Sequence, residues 1–150
     1  SLDTCVFHAE VMITATGCQL IEVNGRIGGD LIHTHLVPLG CGADLIEAAY
    51  QVALGKQVAL PQLWSRGACV RFLLADRIGR VREWQGVAAA TASRDVVEFG
   101  VEKKPGDSVA LPPVRFQDER LCYVVTCAES TDEAIRSAER ALDRVRCVIG

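Results

Sequence analysis

The chain has 150 residues, a formal net charge of -3, 49% hydrophobic and 23% charged residues. That length buries one sizeable core or two small ones, and that composition excludes a disordered or fibrous chain. A net negative chain lacks the concentrated basic face that general nucleic-acid binding requires, so no nucleic-acid partner is expected.

Phe7, Ala9, Val11 and Ile13 alternate with His8, Glu10 and Met12, the period of a strand with one apolar face. Ala15-Thr16-Gly17 reads as a three-residue hairpin loop leading into a second strand, Cys18 to Asn24. Setting Thr14 opposite Cys18 pairs Met12 with Leu20, Glu10 with Glu22 and His8 with Asn24. Opposed residues of an antiparallel pair share a face about 5 Å apart, so two carboxylates and an amide converge, backed by Ala9, Val11, Ile21 and Val23 on the other side.

Gly28-Gly29 predicts a bend, Ile32 to Leu36 is ambiguous, and Pro38 to Gly42 reads as loop. A helix is predicted from Leu45 to Leu54, with Asp44 and Glu47 as a capping box and Gly55 as the C-terminal cap. Pro61 to Gly67 is the expected seam. Strands follow at Ala68–Ala75 and Ile78–Trp84, joined at Asp76-Arg77, then a short helix or irregular connection at Gly86–Ser93. Val96 to Glu102 alternates weakly, Lys103 to Asp107 is a turn, Pro112-Pro113 is extended, and Leu121 to Cys127 is a β-rich strand. Ser130 or Thr131 caps a last helix that places Ile135, Ala138, Leu142 and Val145 on one face, with Asp132 and Glu133 first and Arg144 and Arg146 last. These elements make an α+β unit of roughly 80 residues.

Charge is uneven along the chain. Asp3, Glu10, Glu22, Asp30, Asp44 and Glu47 share the first 50 residues with one base, Arg26, and such a patch invites a cation. The seven cysteines form no C-x-x-C pair, and Cys69 and Cys122 sit in apolar runs; buried free thiols in a reducing compartment are expected rather than disulfides or a zinc site. No signal-peptide pattern and no apolar run near membrane-spanning length is present, so a cytoplasmic setting without a membrane partner is expected. The start at Ser1-Leu2, without Met and directly before an apolar run, predicts a cut within a larger protein.

Glu10, Glu22 and Asn24 offer only oxygen donors, which suit magnesium or manganese better than zinc. The bland reading is a carboxylate pair relieved by water and Arg26. Arg26, two residues past Asn24, cannot ligate a metal but can clamp phosphate or carboxylate oxygens, and a divalent cation beside an arginine is what phosphoryl transfer uses.

Glu10, eleven residues, then Glu22-Val23-Asn24-Gly25-Arg26 and Gly28-Gly29 resembles the last catalytic stretch of the ATP-grasp superfamily, in its carboxylase-like and L-amino-acid ligase branches. Lys103–Asp107 and the strand and helix start around Thr131–Ala134 are similar to the small C-terminal domain of those enzymes. The resemblance implies an α+β fold: residues 1–62 as the end of an ATP-grasp domain, an antiparallel hairpin plus helix, and residues 63–150 as a small antiparallel-sheet α+β domain.

It also implies a site. Glu10 would bind one Mg2+, Glu22 bridge two and Asn24 complete the second, with Mn2+ as a substitute; Arg26 would act catalytically on ATP phosphates or an acyl phosphate. Gly28 and Gly29 would lie near the acceptor, with His33 and His35 as a wall sharing one face if their segment is extended. The family's two nucleotide-holding lysines and glycine-rich flap precede this stretch, whereas Lys56, Lys103 and Lys104 all follow it. The chain is therefore expected to be the C-terminal portion of an ATP-dependent ligase activating a carboxylate as an acyl phosphate for an amine, inactive by itself. Its partners would be the missing N-terminal and central segments, small carboxylate and amine substrates, and a second copy in a homodimer. The competing expectation is a non-catalytic scaffold or oligomerisation module of ATP-grasp origin.

Other residues read more plainly. His8 is expected to support the ligands by a hydrogen bond. Trp64 and Trp84 suit core or seam positions, Arg77, Arg80 and Arg82 a solvated face, and Cys41 a loop or packing role.

Overall fold

The computed structural model describes residues 4–59, 66–111 and 119–150. Trp64, most of the expected seam and Pro112-Pro113 lie outside the described residues. The chain divides into two compact units, Ser1–Trp64 and Ser65–Gly150.

The first unit opens with an antiparallel hairpin of β1 (His8–Thr14) and β2 (Gly17–Asn24). Its turn is one residue tighter than the sequence suggests, with Thr14 opposite Gly17 and Thr14 Oγ1 donating to the Gly17 carbonyl at 2.8 Å. Met12 consequently faces Gln19, not Leu20, and Ile13 faces Cys18. A bulge between Glu10 and Val11, with Ile21 as the extra residue of β2, restores the register, so that Glu10 lies opposite Glu22 and His8 opposite Asn24. The two one-residue shifts cancel before the carboxylates are reached.

After β2 the chain bends at Gly25-Arg26 and enters one wide helical turn, Ile32–Leu36, in which the Leu36 amide donates to the Leu31 carbonyl at 3.0 Å. The left-handed residues at its entry are Asp30 and Leu31, not the paired glycines. Gly28 packs tightly: a Cβ there would stand 3.0 Å from His8 Nδ1 and 3.3 Å from Ile32 Cγ2, crowding both side chains. The segment expected as loop forms the short helix α1 (Val37–Cys41), because Pro38 suits a helix start and Gly42 closes it by donating to the Pro38 carbonyl. In α2 (Leu45–Ala53) Asp44 accepts from the Ile46 and Glu47 amides at 3.0 and 2.9 Å. The capping box is one-sided, since the Glu47 carboxylate accepts from Gln51. Gly55 and Lys56 amides close the helix on the Val52 and Gln51 carbonyls, both at 2.9 Å.

Among its described residues the second unit contains two three-stranded antiparallel sheets. β7 (Arg120–Ala128) lies between β3 (Gly67–Leu74) and β5 (Val96–Val101), while β4 (Gly79–Gln85) lies between β6 (Ser108–Val109) and β8 (Arg146–Ile149). Although β3 and β4 adjoin in sequence, they belong to different sheets. α3 (Val87–Thr91) and α4 (Thr131–Leu142) cover the first sheet: Ala90, Ala134, Ala138 and Ala141 bury against Cys69, Val124 and Ala128. Alanine at three buried α4 positions lets the helix approach the strands closely, and Thr126 Oγ1 donates to the Ala134 carbonyl at 2.7 Å across the contact.

Ser130 is the N-cap of α4, accepting from the Glu133 amide at 3.3 Å. Helix α4 ends at Leu142, so Arg140 occupies its last turn and Arg146 belongs to β8, a strand the helical pattern had absorbed. A second core gathers Ala75, Val81, Val109 and Leu121, with Trp84 packed beside it and its Nε1 donating to the Lys103 carbonyl at 2.8 Å.

All seven cysteines are free; Cys69, Cys122 and Cys127 are buried, while Cys5 and Cys18 are exposed. Burial pushes the Cys122 thiol up to about 12. Among the described residues, no helix is long and apolar enough to cross a membrane.

Candidate metal centre

The β1–β2 pairing positions the expected donors. Glu10 and Glu22 are direct cross-strand partners and His8 and Asn24 the next pair on that face, since positions two apart on a strand point the same way. Asn24 Nδ2 donates to Glu22 Oε1, and His8 Nε2 lies 3.5 Å from Glu10 Oε1. Two carboxylates, an amide and an imidazole thus occupy one end of the hairpin.

Glu10 and Glu22 are exposed, so solvent screens their repulsion and the geometry does not itself demand a cation. Among the described residues no three His, Cys, Asp or Glu side chains gather as a metal cluster. The expected ligand set is two carboxylates and an amide oxygen, a hard-donor inventory that fits Mg2+ or Mn2+ in kind and leaves coordination positions for water or phosphate oxygens.

Arg26 follows the hairpin on an exposed bend, its Nη1 donating to the Ile27 carbonyl at 3.0 Å. Gly28 is buried and Gly29 exposed. His33 Nδ1 is hydrogen-bonded to the Gly28 carbonyl, tying the wide turn back to the glycine pair. His35 Nδ1 pairs instead with Thr34 Oγ1 at 2.8 Å. The condition for a common histidine face fails: in a helical turn, residues two apart lie roughly half a turn apart. Cys41, now on α1, donates its thiol to the Val37 carbonyl at 3.2 Å. Arg77 forks onto Asp76 at 2.8 and 2.9 Å, holding that carboxyl below the usual range, and Arg80 donates to the Gly106 carbonyl.

One polar grouping escaped the sequence reading. Asp95, in a left-handed conformation, accepts from Ser137 Oγ at 2.9 Å, and Arg140 Nη2 donates to the same hydroxyl at 2.9 Å. Only the spacing of Arg136 and Arg140 along one helix side hinted at it; Asp95 arrives from 42 residues away.

The hairpin with its following helices and the small antiparallel α+β unit define the C-terminal portion of an ATP-grasp fold. Residues 71–150 match the family described as L-amino acid ligase C-terminal domain 2, and the chain belongs to that family. An uncharacterized protein of Sinorhizobium fredii is 34% identical over 140 residues, covering 92% of this chain and 28% of that protein. Human carnosine synthase 1 is 43% identical over 134 residues, covering 86% of this chain and 15% of its own length. The L-amino acid ligase of Bacillus licheniformis superposes with a TM-score of 0.80 at 17% identity, over 96% of this chain and 36% of that one. The chain therefore spans 28% and 15% of the length of these two curated relatives, and the structural likeness speaks for fold alone.

Proposed function

We propose that this chain supplies the metal-binding end of an ATP-dependent ligase site in a cytoplasmic enzyme whose nucleotide-holding segments lie elsewhere in the same protein. The supporting observation is the pairing of Glu10 with Glu22 and of His8 with Asn24 at the end of one hairpin, directly before Arg26.

In this reading Glu10, Glu22 and Asn24 would hold two Mg2+ ions, or Mn2+, and Glu22 would be a ligand to both. The metal would supply charge neutralisation of the ATP phosphates. Arg26 turns from the Ile27 carbonyl to the oxygens of the transferred phosphoryl group. That group passes from ATP to an oxygen of the substrate carboxylate, leaving ADP. An amine then attacks the acyl carbon, the C–N bond forms, phosphate departs and the amine loses a proton. Gly28 and Gly29, with His33 held on the Gly28 carbonyl, border the acceptor. The family's name and that of the Bacillus ligase favour amino-acid substrates.

The test is carboxylate-dependent ADP release by the intact enzyme carrying this chain. Glu22→Gln should lower kcat/KM by at least about 100-fold and more than Glu10→Gln, because one ligand serves both ions. Activity of Glu22→Gln near that of the unaltered enzyme would overturn the assignment.

A further inference from the structure

A cavity of about 270 Å³ opens beside α4, entirely within the second unit. Its wall is built around Ser137, which is 2% exposed and holds Asp95 and Arg140 in place. Arg94 Nε lies 3.6 Å from Asp95 Oδ1, so that carboxylate already has a cation beside it.

Four further charges line the opening: Arg66 and Arg136, Glu129 and Glu133. Arg66 and Glu129 flank the Gly67–Ala128 pair at the end of the β3–β7 ladder, while Glu133 and Arg136 are one turn apart on α4. Among the described residues no ion pair joins these four side chains, and Arg140 is held by a neutral hydroxyl, so three guanidinium groups and two carboxylates remain available around one small volume. A simple anion placed there meets two carboxylates, and a simple cation meets the guanidinium groups. A molecule with one charge of each sign avoids both penalties, with the planar guanidinium fork matching a carboxylate and the glutamates receiving an ammonium.

We infer that this cavity binds a small zwitterion, an amino acid or short peptide, at a site separate from the hairpin and independent of the ligase reading. Calorimetric titration of the protein with L-alanine and with L-alanyl-L-alanine tests it, with acetate and methylammonium as single-charge controls. At least one zwitterion should bind saturably with about millimolar affinity or better, and each control at least about tenfold more weakly. Arg136→Ala should weaken that binding about tenfold or more, with Arg136→Lys intermediate because it keeps charge and loses the fork. Arg136 is exposed, so circular dichroism should show the fold intact; if it does not, Arg66→Ala takes its place. Glu22→Gln should leave binding unchanged. Acetate binding as tightly as the zwitterions, no saturable binding of either, an unchanged affinity in the arginine variant, or loss of binding in Glu22→Gln would each overturn the proposal.

Discussion

The hairpin of the first unit and the α4-covered sheet of the second use similar apolar residues to opposite ends. On β7 eight of nine residues are buried, closed on one side by the alanine face of α4. On the hairpin Val11 is 50% and Ile13 87% exposed, and the expected hydrophobic backing at Ala9, Ile21 and Val23 is open as well. A strand's pattern fixes which residues share a face, but burial requires a second element of matching shape. The second unit contains that element within its described residues; the hairpin keeps apolar surface available on one side and presents its polar donors on the other.

The contrast is broken or sharpened first at Gly86. Its φ is +79°, and a Cβ would stand 1.8 Å from the Arg144 carbonyl oxygen, where the backbone cannot yield cheaply. Gly86→Ala should cost at least about 2 kcal/mol in urea unfolding of the second unit. Next, Ala138→Leu should overpack the closed helix–sheet interface and cost about 1–3 kcal/mol, visible as faster hydrogen exchange along α4 and β7. Ser130→Ala removes the α4 cap and should cost about 1 kcal/mol by the same measurement.

Ile13→Thr, on the open face, should change stability by no more than about 0.5 kcal/mol. A loss as large as that of Ala138→Leu would show that the hairpin's apolar side is covered after all.

The thiols give a pH-dependent form of the comparison. Folded Cys122 keeps its proton up to about 12, chiefly because burial disfavours the thiolate, whereas the unfolded chain releases it in the ordinary thiol range. The unfolded state then binds fewer protons, so this contribution to stability is complete below that range and is lost as pH rises toward 12. Urea midpoints should fall across the alkaline range, with a shallower slope in Cys122→Ala. Native-state alkylation should reach exposed Cys5 and Cys18 before Cys122.

Local pattern determined much of this protein. Alternation marked the strands, Asp44, Gly55 and Ser130 bounded their helices, and Glu10, Glu22, Asn24 and Arg26 stood out by residue type and spacing before any coordinates. Those features depend on neighbours a few residues apart, whose physical chemistry is contained in the local sequence. Tertiary structure alone decided the sheet partners of β3 and β4, the bulge at Ile21, the helical turn that separates His33 from His35, and the meeting of Asp95 with Ser137. Each is a choice among conformations of similar local energy, settled by long-range packing and hydrogen bonding that no short stretch of sequence contains.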